Sequence, residues 1–153
     1  MARPTIDHRG PEFQALGREL LDGIRDIFRT ERPVVIYPSS GSGAWEAALV
    51  NVLSPGDRVL MVETGHFAIL WKQIAVKLGL AVDLIPGDWR HGVDPRAVEA
   101  RLVEDREHAI KAVCVVHNET STGVVHPVAE VAALVKQDSE RMMVVDAVSC
   151  MAA

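Results

Sequence analysis

Val34-Val35-Ile36-Tyr37-Pro38-Ser39-Ser40-Gly41-Ser42-Gly43-Ala44-Trp45-Glu46-Ala47-Ala48-Leu49 sets a strand, a turn and a helix start end to end. The β-branched run Val34 to Tyr37 predicts a buried strand, and Pro38 ends it because proline has no N–H to give a ladder. Ser39 to Gly43 supply hydroxyls and unhindered backbone, and Ala44 to Leu49 return to strong helix formers. Free N–H groups and the positive end of a helix dipole therefore meet at Ser40, Gly41 and Ser42, a place for phosphate or another anion. The same residues also make a tight connection, and the short pattern alone does not separate the two readings.

Before this stretch, Phe13, Leu16, Leu20, Leu21, Ile24, Ile27 and Phe28 keep helical spacing and predict an amphipathic helix over 12–28 that packs by one stripe. After it, Ser54-Pro55-Gly56-Asp57 marks a turn and Arg58 to Val62 a strand. A helix is expected over 67–78, closed by Gly79, and a further strand from Ala81 to Ile85. Asp94-Pro95 pairs an N-cap with proline at the first helical position, opening a helix that runs to about Glu104. Ala112 to Val116, a helix over 127–136, and Met142 to Val145 complete the pattern.

Strands and helices alternate throughout, which implies right-handed crossovers and an α/β fold: a mostly parallel sheet of five strands with helices on both faces in three layers. Functional groups in such a fold gather at the carboxyl ends of the strands. The loops expected there contain Ser40-Gly41-Ser42, Gly65-His66-Phe67, Asn118-Glu119-Thr120-Ser121-Thr122-Gly123 and Asp146. Asp146 closes an apolar run and is placed at a strand tip; capping a following turn is its simpler use.

The chain of 153 residues is about one domain long and carries no repeat or linker. A net charge of −5 argues against a nucleic-acid or anionic-membrane surface and favours small-molecule partners. No apolar run approaches a membrane span and the N-terminus lacks a signal region, so a cytoplasmic location is expected. Cys114 and Cys150 lack paired spacing, Cys114 reads as core, and the histidines show no metal-ligand pattern.

Spacing rejects several familiar sites. A dinucleotide fingerprint needs glycine where Glu46 stands, a nucleophile elbow around Ser42 needs glycine at Ser40 and Ala44, and no Gly-Lys-Ser or Gly-Lys-Thr is present.

Taken together and in order, Ser40 to Asn51, Ser54 to Asp57, Gly87 to Gly92, Asn118 to Gly123 and Val144-Val145-Asp146 closely resemble the class V aminotransferases of the serine-glyoxylate and alanine-glyoxylate group. The resemblance runs from about His8 to the last residue. It implies the type I fold of pyridoxal 5'-phosphate enzymes, a homodimer, and transfer of an amino group from an amino acid, serine or alanine, to the 2-oxo acid glyoxylate. Residue by residue, it gives Ser40, Gly41 and Ser42 to the cofactor phosphate and Phe67 to stacking on the pyridine ring. Thr120 falls to the ring oxygen and Asp146 to the pyridinium nitrogen, where a carboxylate keeps the ring protonated.

The resemblance also implies that residues 1–153 are part of a large, cofactor-binding domain. The family's anchoring lysine and small domain follow later, and no counterpart of either is present. Of Lys72, Lys77, Lys111 and Lys136, the first two are expected within a helix, Lys136 at a helix end and Lys111 ahead of its strand, so none reaches the cofactor. The chain alone is therefore expected to be inactive. The alternative is a self-contained phosphate- or nucleotide-binding domain of doubly wound type.

Overall fold

The computed structural model describes residues 4–151, in two compact units that divide after Pro38. In the first, α1 spans Pro11–Phe28, with proline in the first turn and Arg29 left-handed at its C-cap. The expected helix is there, but the burial of its stripe is not: no residue of α1 is buried, and Leu20 is 58% exposed. Periodicity marks which face seeks cover without supplying the cover. The expected strand Val34 to Tyr37 is likewise not found. It has no ladder partner among the described residues, and Val35 is 67% exposed. An apolar run reads the same whether or not a neighbouring strand exists to pair with it.

The second unit begins with α2, Gly41–Val52, followed by β1, Arg58–Val62, and α3, His66–Lys77. Then come β2, Ala81–Ile85, α4, Pro95–Glu104, and β3, Ile110–Val116. Two short strands, β4 at Asn118–Glu119 and β5 at Val124–Val125, precede α5, Val128–Val135, and β6, Met142–Asp146. The main sheet has four parallel strands in the order β2-β1-β3-β6, one fewer than expected because the run at 34–37 does not join. The segment expected as a plain loop from His117 to His126 instead folds into the antiparallel β4-β5 hairpin.

Alternation along the strands divides the core into two. Val59 and Met61 of β1 pack with Trp45, Leu49, Trp71 and Ala75 of α2 and α3. Leu60 and Val62 face the other way, onto Val98 and Leu102 of α4 and Val131 and Val135 of α5. The period of two thus builds both halves of a three-layer sandwich from one strand. Cys114 is buried in the first half, and burial pushes its thiol up to about 12, so it is a packing residue.

Caps hold the helix ends in register with the strands. The Asp94 carboxylate accepts the Arg96 N–H at 2.9 Å at the start of α4. At the end of α3, Gly79 at φ +82° donates to the Val76 carbonyl and Leu80 to that of Ala75, both near 3 Å, which turns the chain directly into β2. No helix among the described residues is long and apolar enough to cross a membrane.

Candidate cofactor site

Four elements of the second unit end at the same edge of the sheet: α2 begins there, α3 begins after β1, the hairpin follows β3, and β6 stops. Register fixes the depth of each. Val116 lies opposite Asp146, and the His117 N–H donates to the Asp146 carbonyl at 2.8 Å. Between them opens a cavity of about 230 Å³ lined by Ser40, Gly41, Ser42, Trp45, Phe67, Val116, Asn118, Thr120, Asp146, Val148 and Ser149. All six residues singled out in the sequence line this one cavity.

α2 starts at Gly41, earlier than propensity predicts. Glycine is a poor helix former, but burial of Trp45 and Leu49 one and two turns later carries the helix back through Ser42 to Gly41. Ser40 is the N-cap and its side chain bonds none of the first-turn N–H groups. Those of Gly41, Ser42 and Gly43 precede the first intrahelical bond, Ala44 N–H to the Ser40 carbonyl. A Cβ on Gly41 would come within 3.3 Å of a Val148 methyl group, so the missing side chain keeps this wall open. The donor set and the empty space suit an anion such as a phosphate.

Opposite stands the Asp146 carboxylate. Its Oδ2 accepts the Trp45 Nε1–H at 3.1 Å and its Oδ1 accepts the Val148 N–H at 2.9 Å. Among the described residues no lysine, arginine or histidine lies within ion-pair distance of it, so the carboxylate is free to meet a cationic ring nitrogen. Phe67 sits in the first turn of α3 with its ring edge-on to Trp45 at 6.5 Å. Thr120 is exposed at the cavity mouth. Free first-turn N–H groups, an aromatic ring, a hydroxyl and a carboxylate without a cationic partner thus line one cavity, chemistry able to receive an anion at one end and a cationic ring nitrogen at the other.

None of the four lysines lines the cavity. Lys72 and Lys77 lie in α3 and Lys136 caps the end of α5. Lys111 lies inside β3, where it was expected just ahead of the strand, but at its second residue and hence near the opposite sheet edge.

Two participants were missed in the sequence. Trp45 stands within residues 34–49 at helical spacing from Ser42, where the sequence marks it as a helix residue and nothing more. Glu119 lies in the loop expected at 118–123, and it is 0% exposed and accepts N–H groups from Phe67, Ala68 and Ser121. No local signal marks a glutamate that will be buried.

The larger cleft, about 370 Å³, lies beyond β1 and β2 and contains Gly87, Asp88 and His91. Its polar groups already serve one another: Trp89 Nε1–H donates to Glu63 at 3.0 Å, and Asp88 bonds the His91 ring at 2.6 Å. His126 lies buried nearby in sequence to the hairpin, its Nδ1 accepting the Val93 N–H at 3.1 Å. Burial pushes its pKa down against the smaller opposing pull of Glu119, so it is a neutral structural imidazole.

The family model described as Aminotransferase class-V matches residues 2–152. Serine–glyoxylate aminotransferase of Arabidopsis thaliana is 38% identical over 155 residues, covering 100% of this chain and 39% of the plant protein. That of Hyphomicrobium methylovorum is 41% identical over 148 residues, covering 95% of this chain and 36% of its own length. The crystal structure of alanine–glyoxylate aminotransferase from Nostoc sp. matches with a TM-score of 0.84 at 28% identity, over 97% of this chain and 39% of that one. The chain spans about two fifths of the length of these relatives.

Proposed function

Because the chain belongs to the class V aminotransferase family, we propose that it supplies the cofactor-binding part of an enzyme that moves an amino group from serine or alanine to glyoxylate with pyridoxal phosphate. One observation carries the reading: the uncapped first turn of α2, the Phe67 ring and the unpaired Asp146 carboxylate line a single cavity. The names of the relatives support glyoxylate as the acceptor.

In this reading the N–H groups of Gly41 and Ser42 and the Ser40 and Ser42 hydroxyls hold the phosphate, and the α2 dipole favours its charge. Phe67 covers one face of the ring and Thr120 offers a hydroxyl to the ring oxygen. Asp146 keeps a proton on the ring nitrogen. Pyridoxal phosphate, when bound, withdraws electrons from the substrate α-carbon so that its proton is released. That proton needs a base, and no lysine of this chain reaches the cavity. Residues 1–153 are thus part of a large domain, and the chain by itself binds the cofactor without covalent attachment and does not transaminate. The homodimer rests on the family resemblance alone.

The test is titration of the purified chain with pyridoxal phosphate and, separately, with ATP, followed by absorbance and by thermal unfolding. Protection by pyridoxal phosphate only is expected. Protection by the nucleotide only would replace this reading with that of a nucleotide-binding domain. Borohydride reduction should label no lysine stoichiometrically, and one fully labelled lysine with measurable turnover would overturn the claim of inactivity.

A further inference from the structure

Trp45 occupies the second turn of α2, 6% exposed, and reaches across 101 residues of sequence to donate its Nε1–H to Asp146. The carboxylate at a strand tip has two torsions to settle. Val148 N–H holds one oxygen and the indole holds the other, so both are settled. The indole is fixed in turn: it stacks on Trp71 at 5.6 Å with 12° between the planes, and Trp71 is 2% exposed. The two tryptophans differ in kind. Trp71 Nε1 is buried without a hydrogen-bond partner, so Trp71 contributes packing, whereas Trp45 contributes a directed donor.

Resting on the cofactor reading above, we propose that Trp45 is the positioning residue of the cavity. It holds the Asp146 carboxylate in the orientation that serves a protonated heterocyclic nitrogen, and its ring backs Phe67 edge-on at 6.5 Å. The group that pairs with the ring and the group that stacks on it are thereby referred to one rigid indole. A solvated carboxylate would have to be ordered at the moment of binding, whereas one held by two donors is already in place.

The experiment uses the whole 153-residue chain and two ligands, pyridoxal phosphate and its analogue with carbon in place of the ring nitrogen. Trp45→Phe keeps an aromatic ring on Trp71 and removes the N–H; Trp71→Phe removes indole area and no hydrogen bond. Binding is read from ligand absorbance. Trp45→Phe is expected to weaken pyridoxal phosphate roughly tenfold and to leave the carbon analogue unchanged, while Trp71→Phe affects both ligands alike. Equal weakening of both ligands by Trp45→Phe, or of neither, makes Trp45 a packing residue and overturns the proposal. If the unaltered chain binds neither ligand, it is the cofactor reading that fails, and this inference falls with it.

Should Trp45→Phe not fold, a cofactor-free measurement decides. In a proton–nitrogen spectrum of the unligated chain, Asp146→Ala should move one of the three indole N–H resonances upfield and speed its exchange with solvent, leaving the other two in place. An unmoved set of indole resonances would overturn the proposal.

Discussion

The Glu119 carboxylate, wholly buried, accepts the backbone N–H of Ala68 at 3.2 Å across 51 residues of sequence. Phe67 N–H lies at 3.4 Å and the Ser121 hydroxyl at 2.6 Å from its other oxygen. Ser121 Oγ also accepts the His66 N–H at 3.0 Å. A buried anion is tolerated here because the start of α3 presents uncapped N–H groups and the positive end of its dipole. The hairpin thus caps the helix that carries Phe67.

Glu119→Ala removes the acceptor for the buried Ala68 N–H and for the part-buried Phe67 N–H and Ser121 donors, and should lower unfolding stability by about 3 kcal/mol, whereas Glu119→Gln, which keeps one acceptor oxygen, should cost roughly half as much. Urea unfolding measures both. Equal losses would mean that side-chain volume, and not acceptor capacity, is what the site needs.

Gly65 is the space that Glu119 fills, since a Cβ there would lie 2.5 Å from Glu119 Cγ. Gly65→Ala should therefore destabilise by about 1–3 kcal/mol. In the Glu119→Ala background part of that penalty should vanish, the remainder staying with Ser121 Oγ at 2.7 Å from the same point, a coupling that a double-mutant cycle detects. Additive losses would place the strain elsewhere.

Asp105 predicts an acid-sensitive contribution to stability. Burial raises its pKa, but the N–H groups of Ile110 and Ala109 and the Arg141 guanidinium at 3.1 Å outweigh it, and the carboxyl is held below its ordinary 3.8. The unfolded chain therefore takes up this proton first as pH falls. The contribution is full above the ordinary value and is lost as pH drops through it toward the folded one. Asp105→Asn should flatten the stability profile below about pH 4, read from denaturant midpoints; an unchanged profile would remove Asp105 from the acid response.

The cysteines should differ in reactivity. Cys114 is 2% exposed with its thiol pushed up to about 12, whereas Cys150 is half-buried and is raised by burial and then by the Asp146 charge. Alkylation of the native chain at pH 8 should label Cys150 slowly and Cys114 only on unfolding. Mass spectrometry of digested protein distinguishes the sites, and early labelling of Cys114 would mean that the core opens locally.

The parallel strands, their intervening helices and the edge at which Ser40 to Ser42, Phe67, Thr120 and Asp146 meet were legible because they follow from alternation, capping residues and the handedness of crossovers, all local or topological rules. That Val34 to Tyr37 has no ladder partner among the described residues and that no residue of α1 is buried was not legible, because an apolar run or stripe states a need for cover and leaves its source open. Nor were Glu119 and Trp45. The first became a cap and the second a carboxylate donor only when residues 51 and 101 positions distant were brought to hydrogen-bonding distance. Local propensity states what a segment favours; whether it finds a partner, and which donor meets which acceptor, depends on register between segments, and that exists only in the folded chain.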